Sequence, residues 1–281
     1  MAYMNQTGEP TAFVQTQATI RQHEAVSSRY FLLRLRCPEI ARRAQPGQFV
    51  MLACAADNGT SGEALLPRPL ALLDAREDEI QLLYFVAGKG TECLRRTAEQ
   101  GRGPLRIIGP LGRGFTPIPA VDAHIALGGG SGVAPLVYFF RRFGAAGNWH
   151  LVLAARTAEQ LARQDVVRAP GRLHCATDDG SAGFRGTAVD ALNVLLAGEL
   201  KGARVGIYAA GPEPMMAAAA KVGRDRGLPV RVSLEARMAC GVGVCRACVV
   251  DGATPHAKTG LLRRAVCHDG PVFDIDELAG W

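Results

Sequence analysis

The sequence predicts a three-part β plus α/β chain, and three observations carry the prediction. Up to about residue 118 the 281-residue chain is made of short apolar or alternating runs separated by turn residues. From His124 onward, strands alternate with helical segments. After Glu235 the pattern becomes irregular, and three cysteines crowd into one glycine-rich loop, Ala239-Cys240-Gly241-Val242-Gly243-Val244-Cys245-Arg246-Ala247-Cys248. These changes of pattern place the expected boundaries at 1–118, 119–232 and 233–281.

In the first part the runs are Phe13 to Ile20, Tyr30 to Cys37, Gln48 to Cys54, Leu70 to Asp74, Glu79 to Val86 and Leu105 to Gly109. Gln45-Pro46-Gly47 and Asp57-Asn58-Gly59 read as turns between them. Many short strands at this spacing predict an antiparallel barrel or sandwich. Only Thr91 to Gln100 reads as a helix here. In the second part His124–Leu127, Trp149–Ala155, Leu173–Thr177, Val205–Ala209 and Val230–Leu234 read as strands. The helices between them are expected up to Phe143, from about Ala158, near Ala188–Leu196 and from Glu213 to about Asp225. Such alternation predicts a parallel sheet of nucleotide-binding type, closed by the Val230–Leu234 strand.

The composition is that of a globular chain, 48% hydrophobic and 21% charged, without low-complexity tracts or repeats. The N-terminus has no basic n-region or apolar core, so no secretory signal is expected, and no apolar run reaches membrane-span length. A cytoplasmic setting is therefore predicted, in which the eight cysteines are reduced. The net charge of +6 is spread along the chain, with no basic run or aromatic interleaving of the kind nucleic-acid modules use.

In such a setting clustered cysteines are metal ligands or redox groups. The spacing C-x4-C-x2-C, with Cys267 downstream, matches the plant-type [2Fe–2S] ligand pattern. Thiolates stabilise ferric iron, and four of them complete two tetrahedral sites. Gly241 and Gly243 free the loop to bring N–H groups toward sulfur. A structural zinc site is the alternative, although zinc loops usually come as two C-x2-C pairs. Cys37, Cys54, Cys93 and Cys175 lie singly in apolar runs and are expected to be small buried hydrophobes.

A second signal is Gly128-Gly129-Gly130-Ser131-Gly132, a strand-to-helix turn fit to approach a pyrophosphate. Pro135 stands where the third glycine of the usual fingerprint would be. Ala210-Gly211-Pro212-Glu213-Pro214-Met215 is another strand-turn-helix junction, at the strand edge where open α/β sheets bind ligands. A third group lies in the first part: Arg68-Pro69-Leu70-Ala71, Gly88-Lys89-Gly90-Thr91 and Gly109-Pro110-Leu111-Gly112-Arg113-Gly114-Phe115. Each of these stretches alone reads as a turn as readily as a site.

Taken in order with the terminal cysteines, these motifs resemble the ferredoxin–NADP reductase superfamily. More narrowly the chain resembles the electron-transfer subunits of the type 1B, NAD-dependent dihydroorotate dehydrogenases. Ser233-Leu234-Glu235-Ala236-Arg237-Met238-Ala239-Cys240-Gly241 and Asp269-Gly270-Pro271-Val272-Phe273 carry the narrower likeness, which spans nearly the whole chain apart from a short N-terminal extension. The resemblance implies an antiparallel β-barrel FAD-binding domain, a parallel-sheet Rossmann-like NAD-binding domain and a small C-terminal [2Fe–2S] subdomain. Arg68 would neutralise the FAD pyrophosphate, with Gly90 and Thr91 also binding the diphosphate. Leu70 and Ala71 would lie against the isoalloxazine, Pro69 would be a further cofactor-binding residue, and Leu83, Tyr84 and Phe85 would add flavin contacts. Gly128, Gly129, Gly130, Gly132, Gly211 and Pro212 would frame the nicotinamide dinucleotide, and Cys240, Cys245, Cys248 and Cys267 would hold the cluster. The cluster and the dinucleotide pyrophosphate, each roughly −2, would bring the charge to about +2. Ala71 and Ala210 depart from the hydroxyl residue and the cysteine often found there, which bears on the tuning of hydride transfer.

What the resemblance implies about activity is an electron relay. Dihydroorotate would be oxidised on a separate FMN-containing catalytic subunit, in a heterotetramer of two relay and two catalytic chains. Electrons would pass through the cluster to FAD and as hydride to NAD⁺, with no side chain of this chain acting as acid or base. The homologous FAD/[2Fe–2S] subunit of a ferredoxin:NADP oxidoreductase or sulfhydrogenase complex, and a stand-alone NAD(P)H reductase, share the same motifs. A zinc-bearing binding module is the rival from another class. Arg156, after the second nucleotide-domain strand, is a candidate contact for a 2′-phosphate or a solvent-facing charge. Asp178-Asp179-Gly180 reads as a turn, His268 as a surface histidine, and the terminal Asp276–Trp281 segment as packed on its own domain or on a partner.

Overall fold

The computed structural model describes residues 3–4, 10–11, 13–56, 66–257 and 259–281; the Asp57-Asn58-Gly59 turn lies outside them. Tyr3–Met4 (β1) pairs with Pro10–Thr11 (β2). The next strands are β3 (Val14–Ala25), β4 (Tyr30–Arg36), β5 (Phe49–Leu52), β6 (Arg68–Arg76), β7 (Glu79–Phe85) and β8 (Leu105–Leu111). They close into an antiparallel barrel in the order β3-β4-β7-β6-β5-β8, which decides between barrel and sandwich. Leu33, Leu35, Val50, Leu52, Leu72, Ile80 and Leu82 fill its core. A short helix not foreseen from sequence, α1 (Pro38–Ala41), follows β4, and α2 (Lys89–Glu99) follows β7. Residues 90–91, 93–94 and 97–98 form the buried stripe of α2, as helical periodicity requires.

The second part is a sheet ordered β12-β11-β10-β9-β13-β14-β17. Its strands are β9 (Ala123–Gly129), β10 (Trp149–Ala155), β11 (Arg172–Thr177), β12 (Phe184–Arg185), β13 (Val205–Ala210), β14 (Val230–Ser233) and β17 (Val272–Asp274). Alternation along β9 and β13 sends Ile125, Leu127, Ile207 and Ala209 to the core shared with α5 (Ala188–Ala197) and α6 (Glu213–Arg226). It sends Ala126, Tyr208 and Ala210 to the opposite face, under α3 (Val133–Phe143).

Two expectations are corrected. The helix expected from Ala158 is only a 3₁₀ turn, Ala158–Gln160, and a four-residue helix, α4 (Gln164–Val167). The sequence there has good helix formers, but the barrel takes the backbone groups a helix would use. Ser28 N and Oγ donate to Glu159 O, and Arg163 N donates to Val26 O. The second correction is at the sheet edge. β14 does not close the sheet, because β17 from the tail pairs with it antiparallel, Phe273 opposite Val232. The tail is also less irregular than expected, with a hairpin of β15 (Val249–Asp251) and β16 (Arg263–Ala265) and a short helix, α7 (Val266–Asp269). No helix among the described residues is long and apolar enough to cross a membrane.

One buried polar pair inside this sheet has a pH consequence. His150 is fully buried; its Nε2 meets Asn148 Oδ1 at 2.9 Å and its Nδ1 meets His174 Nε2 at 3.0 Å. Both contacts are satisfied with neutral rings, His174 donating to His150. Burial first, then the charges of His174 and Arg172, lower the His150 pKa to about 4. The unfolded state therefore binds a proton that the folded state refuses between about pH 6.5 and about pH 4, and this part of stability is lost on acidification through that window. Urea unfolding at pH 7 and pH 5 should show wild type losing more stability than His150→Gln; equal losses would contradict this.

Candidate functional site: two joined cavities and a cysteine loop

A cavity of about 540 Å³ lies at the seam of barrel and sheet. Arg68, Pro69, Leu70 and Ala71 at the start of β6 line one side, and Leu83, Tyr84, Phe85 and Thr91 continue it. The Leu234–Met238 stretch after β14 lines the opposite side. Gly90 explains the placement of Arg68: a Cβ there would overlap the guanidinium, which lies across the first turn of α2. Arg68 Nη1 donates to Leu66 O at 2.6 Å, fixing the side chain. Thr91 Oγ1 accepts from Ala87 N at 2.8 Å and from Gly88 N at 3.3 Å, so the chain enters the helix tightly. A guanidinium over the N-terminus of an eleven-residue helix favours negative charge there. Tyr84 is held neutral, since burial pushes its hydroxyl up, and that hydroxyl sits 2.9 Å from His23 Nε2.

A second cavity of about 920 Å³ opens at the C-terminal ends of β9, β10 and β13, where the sheet presents Gly129, Gly130, Ser131, Arg156, Gly211 and Pro212. It shares Phe85, Ser131, Gly211 and Glu235 with the first cavity, so the two meet. The two strand ends nest because they carry glycines. A Cβ on Gly129 would sit 2.8 Å from Pro212 Cδ, and Gly211, at φ +142, lies with its Cβ position 2.7 Å from Gly129 O. Gly132 lines the first cavity and abuts Ala210 and Gly211, whereas Gly128 lines neither and lets Val133 close over the strand end. Pro135, at the position of the missing third glycine, lines the first cavity. Sequence reasoning gave no role to Glu235 or Arg237. Glu235 is exposed and opens into both cavities, and desolvation by the surrounding walls raises its carboxyl above the usual range. The available signal was its position directly past the end of a sheet strand.

The four cysteines gather at the barrel side of the tail. Val242 N and Cys245 N donate to Cys240 Sγ at 3.4 and 3.5 Å, Gly243 N to Cys267 Sγ at 3.1 Å, and Cys267 N to Cys248 Sγ at 3.4 Å. Gly241 (φ +72) and Gly243 (φ +78) make these turns possible. A Cβ on Gly241 would reach within 3.0 Å of Met51 Sδ, so the loop lies directly on barrel strand β5. Cys248 and Cys267 are 3% and 1% exposed, while Cys245 is exposed. The bond from the Cys267 thiol lowers the Cys248 pKa, and that of Cys267 is raised in turn. Burial opposes ionisation of Cys240, but the N–H groups of Cys245 and Val242 outweigh it and bring the thiol to about 7. Among the described residues no His, Cys, Asp and Glu side chains converge as a single-ion site. The contacts instead link Cys240 with Cys245 and Cys248 with Cys267, a donor set of two pairs with N–H groups aimed at sulfur, which fits a two-iron cluster.

Around the loop, His268 is half-buried rather than on the surface; a Cβ on Gly243 would be 2.9 Å from its Cβ, and its Nδ1 bonds Asp269 Oδ1 at 2.8 Å. Cys37, Cys54 and Cys93 are buried as expected, and Cys175 is partly exposed. The terminal segment packs on its own chain through buried Leu278 and the ion pair of Glu277 with Arg113.

Residues 235–279 match the model of the iron-sulfur cluster binding domain of dihydroorotate dehydrogenase B. The chain is 35% identical over 266 residues to the dihydroorotate dehydrogenase B (NAD(+)) electron transfer subunit of Geobacillus thermodenitrificans, covering 92% of this chain and 96% of the relative. It is 34% identical to that of Desulforamulus reducens, over 88% and 92% of the two chains. Among solved structures it resembles a chain of the NADH-dependent reduced ferredoxin–NADP oxidoreductase (TM-score 0.77, 29% identity, 93% and 89% covered). The ferredoxin NADP⁺ reductase of Neisseria gonorrhoeae shares the fold (TM-score 0.57, 16% identity, 76% and 92% covered). This chain belongs to the family of electron transfer subunits of NAD(+)-dependent dihydroorotate dehydrogenase B.

Proposed function

We propose that this chain passes electrons from an FMN-containing dihydroorotate dehydrogenase subunit, through a [2Fe–2S] cluster and FAD, to NAD⁺, in an assembly of two relay and two catalytic chains. The observation that carries the reading is the continuity of the site. The flavin-sized cavity opens into the dinucleotide cleft on one side, and its lining residue Met238 is two residues from Cys240 on the other. Two residues of chain span at most about 7 Å, so the flavin cavity and the cluster loop are covalent neighbours. FAD supplies the conversion between the single electrons of a cluster and the hydride of nicotinamide.

The chain's own residues bind and orient. Arg68, Gly90 and Thr91 form the pyrophosphate cradle, and Pro69, Leu70, Ala71, Leu83, Tyr84 and Phe85 shape the flavin wall. Gly128, Gly129, Gly130, Gly132, Gly211 and Pro212 build the paired turns that admit the dinucleotide. Cys240, Cys245, Cys248 and Cys267 provide the thiolates. Val244, 73% exposed between two of them, presents an apolar contact for a partner next to the cluster loop. A second reading, a subunit of a ferredoxin:NADP oxidoreductase complex, is favoured by the 29% identity to such a chain and by Arg156, which is exposed at the second cavity and makes no ion pair with described residues.

The purified chain should reduce artificial acceptors with NADH yet leave dihydroorotate untouched until the FMN-containing subunit is added; substantial dihydroorotate oxidation by the chain alone would overturn the assignment. Cys248→Ser should lose the cluster absorbance while FAD stays stoichiometric. In Gly90→Ala the methyl group displaces the Arg68 guanidinium. Loss of that charge-assisted contact, about 1.5–3 kcal/mol, predicts FAD binding weaker by about 10- to 100-fold, measurable by fluorescence titration.

A further inference from the structure

The barrel and the nucleotide domain are bolted together away from both cavities. Among the secondary-structure elements, α3 against β6 is their most extensive contact. Both elements also begin at the site: β6 starts with Arg68 and the flavin-lining residues, and α3 follows the Gly130–Gly132 turn and carries Pro135 on the first cavity. Further along, Asp74 of β6 and Arg141 of α3 meet. Arg141 Nη1 donates to Asp74 Oδ2 at 2.9 Å, with side chains 13% and 5% exposed. The rest of the guanidinium is spent inside the nucleotide domain, Nε on Arg168 O at 3.0 Å and Nη2 on Val166 O at 2.8 Å. Asp74 also accepts from Ala75 N at 2.9 Å and pairs with Arg76 at 3.0 Å. One helical turn earlier, Tyr138 Oη donates to Ala44 O of the barrel at 2.9 Å.

We propose that Asp74 and Arg141 are a positioning pair for hydride transfer, setting how closely the nicotinamide turn approaches the flavin wall. The inference rests on the functional reading above. Asp74 lies three strand residues past Ala71, about 10 Å, and Arg141 six helix residues past Pro135, about 9 Å. The pair thus fixes the far ends of two short rigid arms whose near ends face each other across the seam. A rotation of α3 on β6 changes the flavin–nicotinamide distance with no residue of either site altered. Neither residue lines a cavity, so cofactor affinities rest on other groups. Hydride transfer falls steeply with such displacement, about a hundredfold for 1 Å.

The test uses the FAD-loaded full chain and stopped-flow reduction by NADH, which separates the limiting rate from the NADH dissociation constant. Asp74→Asn is expected to lower the limiting rate by about a hundredfold, with the dissociation constant within threefold of wild type and FAD stoichiometry unchanged. Amide hydrogen exchange of the 128–132 turn, measured without dinucleotide, should quicken. Arg141→Lys, which keeps the charge but not the three-way fork, should fall between wild type and Asp74→Asn, and it carries the test alone if Asp74→Asn does not fold. A limiting rate within twofold of wild type overturns the proposal, and so does a rate that falls only in step with FAD loss or melting temperature. A wild-type chain whose FAD NADH does not reduce overturns the functional reading instead.

Discussion

The arrangement depends on the chain's last strand returning into the nucleotide sheet. β17 pairs with β14, so the segment between them, which carries the Leu234–Met238 side of the first cavity, the cysteine loop and the hairpin, is tethered at both ends. The barrel grips the same strand. Arg113, just past β8, donates from its N–H to Gly270 O at 2.5 Å and from Nε to Val272 O at 2.7 Å. Its guanidinium pairs with Glu277 and lies 5.3 Å from the centre of the Phe273 ring. Arg231 repeats the connection from the sheet side, bonding Asp274 at 2.7 Å and Thr116 O at 2.8 Å. These contacts make the tail part of both other units.

Close approach is achieved by leaving side chains out. Gly90 yields its Cβ position to Arg68, Gly129 yields its own to Pro212 and Met215, Gly211 to the Gly129 backbone, and Gly241 to Met51. In each case the absent methyl is what lets a loop touch a strand or a charge reach a helix N-terminus. The cysteine loop follows the same logic, because Gly241 and Gly243 accept the positive φ that its turns need to bring N–H groups toward sulfur. Charge does the rest: the Arg68 guanidinium on the first cavity and the backbone donors at the cysteines both favour bound negative charge.

Much of this was legible in the sequence because it is local. The C-x4-C-x2-C spacing, the glycine turn after an apolar strand and the Arg68-Pro69 step are contiguous, and alternation of period two against period three to four separates barrel from α/β sheet. What was not legible is tertiary. The Ala158 segment has helix-forming residues, but Val26 and Ser28 of the barrel claim its backbone groups. Val272–Asp274 is too short and too weakly patterned to announce a strand whose partner lies forty residues earlier. Glu235 and Arg237 lie in a run that carries the family likeness, yet no spacing rule tells that they face a cavity. His268 is a polar residue beside a cysteine, and only packing on Gly243 shows that it is half-buried.

A flavin and a two-iron cluster held by one chain would be in electronic contact with bound nicotinamide. Anaerobic addition of NADH to the purified chain, followed by absorbance and electron paramagnetic resonance, tests it most directly. An oxidised flavin band should bleach, followed by the signal of a reduced [2Fe–2S] cluster that Cys248→Ser abolishes. A colourless protein with zinc on the four cysteines, or a flavin that NADH bleaches while the wild-type cluster stays oxidised under a low-potential reductant, would contradict it.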